Sequence, residues 1–503
     1  MSPSSREWRL RIPAAEVLED RRMLSVLSYS TYWGGSRNEV AADVAADSEG
    51  NTYLIGTTES PDLGGGSGPN TFTARAYLTK FDAQGQVEYT TLLGPTPRWD
   101  AGGFAESYGF RVIVGADDLP IVAVETFETT TIPLNDGSFL PVPGPHYLHI
   151  AKLSDGGEPV FDAVAPLLDS PNYEDPYDFA GVQLATGNDG ATYVTYTALR
   201  ETTNGGAVVD PFISKLASDG SVTLTERLFG VVDGLAVDAD ENIFLAMTTT
   251  LDDLPVTLGA FQPEKNDATY PGSQDIWIAK LDPTASGLYA ATYLGGSFHD
   301  TAFALAVHPD QPDLVYVVGT TQSDDFPLEN PLQQLPTPQP DVLGNTWRID
   351  AFVTALDLTV SPDTPQMRLL ASTYFGGGQV DHLTDLAFDS TGGLIVAGST
   401  NSMPFPLANP LQPAWNDGPL VDQFVDDGLA VHDLVVARFD AALAGLEFST
   451  YFGGSGHDSR ARLAVDPNGT IHVAATSSGK VINISNNLIT TADFPVLNAV
   501  QPT

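Results

Sequence analysis

The chain of 503 residues contains no cysteine. This excludes disulfides, thiolate metal sites and cysteine nucleophiles, and it is compatible with export from a bacterium without demonstrating it. Positive charge is also scarce: 22 Lys and Arg stand against 64 Asp and Glu, a formal net charge of −42. Phosphate binding needs basic patches, so nucleic acid and anionic membranes are disfavoured as partners. Five of the basic residues (Arg6, Arg9, Arg11, Arg21 and Arg22) lie in the first 22, and beyond them 17 face 60 acids. The acidity does not act as one field, because exposed charges more than about 8 Å apart are screened at physiological salt. Only clustered carboxylates make a site. No apolar run approaches the roughly 20 residues of a membrane span. Residues 1–24 lack the apolar stretch of a standard signal peptide, and no stretch reads as a long helix.

What the chain has instead is a repeated unit. It is clearest at STYWGGS (30–36), ATYLGGS (291–297), STYFGGG (372–378) and STYFGGS (449–455), with degenerate copies at TTLLG (90–94) and ERLFG (226–230). A further worn copy is placed near 166–168 to complete seven. Such a unit cannot bury its apolar face alone and must stack on its neighbours. Each unit reads as four short strands. The first contains a small residue, as in LAVD (235–238) and LAVD (463–466), and a turn rich in Asp, Gly and Asn leads to the second, as in LIVAGST (394–400) and IHVAATS (471–477). The third carries a cation among apolar residues, as in IWIAKLD (276–282) and LVVARFD (434–440), and the fourth is the Tyr-Gly-Gly strand itself. Alternation over four to eight residues with turn chemistry between them predicts antiparallel strands throughout.

The expected fold is all-β: a seven-bladed β-propeller of four-stranded antiparallel blades. A leader or targeting segment occupies 1–24 and the propeller 25–503. The chain opens on a fourth strand, 27–34, before any first strand, so this segment is expected to complete the last blade and close the ring. A census finds seven first, second and fourth strands but only six third strands. The chain stops at ADFPVLNAVQPT (492–503), where other copies enter the third strand. Truncation is the favoured explanation, with KVINIS (480–485) as the substitute strand in the alternative.

These units resemble SBBP repeats, a bacterial seven-bladed β-propeller family whose pattern begins STYLGGSGxDxA and ends in xAFVAKLD. The match is close over 288–503, recognisable over 27–82 and 222–282, and eroded over 90–220. The resemblance implies the propeller fold and no common activity. Residues 17–25 (VLEDRRMLS) are similar to the LEPR-XLL segment of large exported proteins of planctomycete-type bacteria, which implies an extracellular or cell-surface location.

The connections from second to third strands, 249–275, 322–349 and 401–433, are the long ones, and loops on a rigid scaffold are where binding resides. Each contains a Phe/Leu-Pro element read as a plug packed on its blade, at 252–263, 324–334 and 403–413, and a fourth copy stands at 492–502. On the same face, after the Gly-Gly turns, stand His299-Asp300, Asp381-His382 and His457-Asp458. Imidazole and carboxylate are ordinary metal ligands, so these six are the candidate metal residues, with Ca²⁺ as the candidate ion. The plainer reading is preferred: the acid caps the turn and the His is incidental. Asp238 and Asp240 have the spacing of half a calcium loop but lack its glycine and distal glutamate, and read as a hairpin. The acidic run 422–433 reads as a solvated loop or weak cation contact. Lys80, Lys152, Lys215, Lys280 and Arg438 read as side chains over the seams between blades, and Tyr32, Tyr293, Tyr374 and Tyr451 as packing there. Two functions follow. The preferred one is a monomeric, non-catalytic scaffold presenting its loop-rich face to a polysaccharide or protein. The alternative is a polysaccharide-processing, lyase-like enzyme using His and Asp on that face. No catalytic residue is assigned.

Overall fold

In the computed structural model the described residues are 27–63, 74–94, 104–133, 139–166, 178–201, 207–266, 272–334, 349–359, 366–415, 432–478, 480–484, 487–491 and 494–499. Every regular element among them longer than a single turn is a β-strand. Six four-stranded antiparallel sheets follow one another, each a meander of sequence neighbours: 39–93, 104–164, 178–227, 234–294, 300–374 and 381–452. The first strands of successive sheets pack side by side, and the ring closes where the strand His457–Val465 meets both Asp381–Phe388 and Glu39–Ala46. This is a β-propeller.

Among the described residues six blades, not seven, have four strands. The seventh position holds a two-stranded sheet, His457–Val465 paired with Ile471–Ser478. KVINIS does not substitute for a third strand. Lys480–Ile484 pairs with Asn487–Thr491 in a separate hairpin. A second correction concerns the worn copy: the fourth strand of blade two is Pro159–Val164, upstream of 166–168. The leader 1–24, the run 422–431 and the middle of each long connection lie outside the described residues.

The hairpin turns form for local reasons. Asp466 Oδ1 accepts the N–H groups of Asn468 and Thr470 at 2.8 and 2.9 Å, and Gly469 adopts φ +83°, which a side chain would resist. Asp47 and Asp238 cap equivalent turns through Asn51 and Asn242. Packing between blades is apolar: Tyr316, Val318 and Val353 share one core with Leu386, Val396 and Phe439 of the next blade. The third-strand cations stand at the seams and are ion-paired. Lys280 reaches Asp238 of its own blade at 3.4 Å and Asp313 of the next at 2.7 Å, and Lys215 spans Asp189 and Glu241 likewise.

The plugs cover sheet edges. Short bridges join Gln262 to Tyr293, Glu329 to Ser372, and Ala408 and Gln412 to Ser449 and Tyr451, so each plug runs along the outermost strand of its blade. An open edge invites foreign pairing. The tyrosine hydroxyls hold the plugs in place: Tyr451 accepts the N–H of Phe405 at 3.0 Å and donates to the Ser402 carbonyl at 2.9 Å.

The N-terminal segment repeats this geometry. Ser30 pairs with Leu497 as Ser449 does with Ala408. Ser30 Oγ donates to the Pro495 carbonyl as Ser449 Oγ does to Pro406, and the N–H of Phe494 meets Tyr32 Oη at 2.9 Å. Trp33 meets Phe81 of blade one edge to face at 5.5 Å, as Phe375 meets Phe439 at 5.0 Å. Residues 28–33 therefore stand where a fourth strand stands in a complete blade, held by the plug and by blade one and not by a ladder.

Candidate functional site

The face predicted to carry a site begins at the Gly-Gly turns. Gly296 N donates to Asp300 Oδ2 at 2.6 Å, Gly377 N to Asp381 Oδ2 at 2.8 Å and Gly454 N to Asp458 Oδ2 at 2.8 Å. Ser323 and Ser402 add hydroxyl donors to Asp300 and Asp381 at 3.0 and 2.9 Å, and Thr400 donates to Asp381 as well. All three carboxylates are buried. The glycine is required here: a Cβ on Gly376 would stand 2.4 Å from Asp381 Oδ2. Burial pushes Asp300 up to about 7, with Asp275 adding repulsion and the Thr321, Gly296 and Ser323 donors opposing it. Burial likewise pushes Asp381 up to about 6 against its three donors.

Each turn also has a second buried carboxylate that the sequence reading did not single out. Asp275, Asp350 and Asp433 begin the third strands of blades four, five and six, and all are fully buried. A Cβ on Gly453 would lie 2.7 Å from Asp433 Oδ1 and 2.8 Å from Asp458 Oδ2, so two carboxylates flank one glycine. The signal was the Asp that opens DIWIAKL, DAFVTALD and DLVVARF.

The histidines separate into two groups. His382 and His457 are brought together through His432, with ring centroids 6.2 and 5.2 Å apart. Burial lowers His382, favouring the neutral ring. His299 is elsewhere, accepting the Gln274 N–H at 3.3 Å. Among the described residues no three His, Asp or Glu side chains converge as a metal-binding group.

The axis holds a denser polar cluster. Asp43, Arg111, Gln183, Asp233, Asp385 and Arg462 line a cavity of about 210 Å³. β-bulges in the first strands aim several of these side chains inward, with register shifts at Ala41/Asp43, Gly109/Arg111, Leu383/Asp385 and Ser459/Arg462. The carboxylates satisfy backbone groups of the next blade: Asp43 accepts the Val112 N–H at 3.0 Å and Asp385 the Leu463 N–H at 2.9 Å. Asp233 accepts the Thr248 N–H of its own blade at 2.6 Å. Arg111 donates to Gln183 at 3.1 Å and Arg462 to the Thr384 carbonyl at 2.8 Å. Burial lowers Arg111 to about 10, with Arg462 repelling it and Asp43 and Asp385 supporting its charge. Burial raises Asp385 against the pull of Arg462. The arrangement pins blade to blade and can hold a small polar molecule. Asp385→Ala is expected to cost about 3 kcal/mol by urea denaturation, because it strands the Leu463 N–H and removes a counter-charge from the half-buried Arg111 and Arg462. A loss under about 0.5 kcal/mol, the range of an ordinary surface change, would contradict that role.

No protein-family model and no curated protein matches the sequence. Solved structures match it only at low similarity. A protein of unknown function from Dyadobacter fermentans is 12% identical, with 75% of this chain and 95% of that one covered and a TM-score of 0.37. One of unknown function from Bacteroides caccae is 8% identical, with 75% and 89% covered and a TM-score of 0.32. An apocarotenoid oxygenase variant from Synechocystis is 11% identical, with 90% and 100% covered and a TM-score of 0.33. Likeness at this level carries nothing about activity.

Proposed function

We propose that the chain is a non-catalytic binding scaffold, exported or held at the cell surface, that presents its second-to-third-strand connections to a polysaccharide or protein. The observation carrying this reading is the state of the connections themselves. They display large apolar side chains to solvent: Leu258 is 93% exposed, and Leu251, Leu332, Met403 and Leu411 are also exposed. Leu332 and Leu411 occupy equivalent positions in NPLQ copies, so the display repeats from blade to blade. Isolated exposed leucines are ordinary, whereas a repeated row at loop positions is what a docking surface requires. The acids on the neighbouring turns are engaged by backbone N–H groups, which favours binding over acid–base chemistry.

The test is a screen of purified protein against a panel of polysaccharides and envelope proteins, with chain-length analysis of each bound polysaccharide. Binding without shortening is expected. Replacing Leu258, Leu332 and Leu411 together by Asp is expected to lower affinity at least about tenfold, as for loss of a hydrophobic anchor. Because all three are exposed, the melting temperature should stay within a few degrees. Shortening of a bound polymer would support the lyase-like alternative.

A further inference from the structure

The axial cavity of about 210 Å³ is built by one position of the repeated first strand. A register shift precedes that position in every blade but the fourth, and going round the ring it is filled by Asp43, Arg111, Gln183, Ala304, Asp385 and Arg462. Blade four has Gly234 there, one residue before its LAVD strand. The polar side chains therefore form a continuous arc from blade six through the closing sheet to blade three. Gly234 and Ala304 complete the ring and are too small to fill the axis. The space is below the roughly 300 Å³ at which pockets for drug-sized ligands begin, so its occupant is small.

The two arginines of the arc are not neutralised by contact. Arg111 gives its Nε–H to Gln183, and Arg462 gives one N–H to the Thr384 carbonyl. A guanidinium is a fork of several N–H donors, and the rest of each fork has no acceptor among the described residues. Neither group has a described carboxylate at ion-pair distance, because Asp43 and Asp385 are turned to the Val112 and Leu463 N–H groups. The seam cations behave otherwise: Lys152, Lys215, Lys280 and Arg438 each meet an acid. Arg462 also repels Arg111. Two like charges are thus held near each other where a counter-ion would relieve both. Both residues are half-buried, so a solute can reach them.

We infer that the axial cavity binds a small oxyanion, a carboxylate or a phosphate, held between the guanidinium groups of Arg111 and Arg462. The planar forks match the paired oxygens of either group, and charge-assisted hydrogen bonds supply the affinity. Arg462 belongs to the sheet that closes the ring and Arg111 to blade two, with Asp43 of blade one between them. A bound anion therefore also ties the closing seam. This site is separate from the loop surface proposed above, and either can fail without the other.

Malonate, inorganic phosphate and uncharged malonamide are titrated separately into the intact protein by calorimetry at neutral pH and low salt. Saturable binding of at least one of the two oxyanions is expected, and none of malonamide. The tighter of the two identifies the source of the oxyanion, and the melting temperature should climb with its concentration. Arg111→Gln and Arg462→Gln should each lower affinity at least about tenfold, whereas Arg462→Lys, which keeps the charge but not the fork, should lose less. A crystal structure of the wild-type protein with saturating anion gives a readout that does not depend on the variants folding: oxyanion oxygens are expected on both guanidinium groups. No saturable binding of either oxyanion, or malonamide bound as tightly, overturns the proposal. So does affinity undiminished in both Gln variants, or a crystal in which the anion is absent from the axis.

Discussion

Deletion of residues 27–36 is expected to lower the melting temperature by on the order of 5–10 °C, for a loss of about 5 kcal/mol spread over a large cooperative unit. The segment contributes the Trp33–Phe81 contact, the Trp33 indole N–H to Thr79 at 3.0 Å, and the clamp of Tyr32 and Ser30 on the last plug. Without it, the plug loses the segment that pairs with Leu497 and holds Pro495. Two point changes divide the effect. Trp33→Ala should account for about 2 kcal/mol, less than a fully buried Trp because the residue is half-buried. Tyr32→Phe should cost about 1 kcal/mol through the lost hydroxyl. An unchanged melting temperature on deletion would falsify closure of the ring by this segment.

Stability is expected to rise as pH falls from about 8 to about 5, opposite to the behaviour of a protein held by salt-bridged carboxylates. Asp300, Asp381 and Asp233 are raised by burial to about 7, about 6 and about 6. A raised folded value means that the native state holds protons which the unfolded chain has released, so stability is complete below the unfolded value and is lost as pH climbs through 6 to 7. For Asp300 alone the shift corresponds to as much as about 4 kcal/mol between pH 4 and pH 8. Below pH 4 the trend reverses as acids held low, such as Asp389 at about 2 beside Arg438, become protonated. Relief of the net charge of −42 acts in the same direction above pH 5, so a variant must separate the two. Asp300→Asn mimics the protonated acid and keeps an acceptor for Gly296 N. Its melting temperature should vary with pH by several degrees less than wild type. Parallel pH profiles for the two proteins would place the effect in the overall charge and sink this account.

Much of the architecture was legible because a repeat states its own solution several times. The strand order and the capped hairpins followed from local chemistry: alternation, Asx caps, and Gly where the chain must turn tightly, whereas 27–34, expected as a strand, makes only the isolated bridge of Ser30 to Leu497. The plugs were legible for the same reason, since Phe-Pro and Gln recur at fixed distances from the Tyr-Gly-Gly strand. The eroded region misled where the pattern fades. The fourth strand of blade two, PVFDAV, carries no Tyr-Gly-Gly signature, and only pairing to Phe139–Leu153 reveals it. The seventh blade was expected to lack its third strand; among the described residues its sheet has two strands, and 28–33 stands beside it outside any ladder.

The candidate site divides differently. His299, His382, His457 and their acids were read as one face, yet it is the fold that joins His382 and His457 through His432 and sends each carboxylate onto a glycine N–H. The axial cluster was invisible in the sequence, because Asp43, Arg111, Asp233, Asp385 and Arg462 are single polar residues on five different blades. By itself the sequence determined everything whose cause lies within one repeat: strand, turn, cap and plug. The tertiary structure decided what depends on residues hundreds of positions apart sharing one axis or one seam. Closure of the ring brings Asp385 to Leu463 and Tyr32 to Phe494.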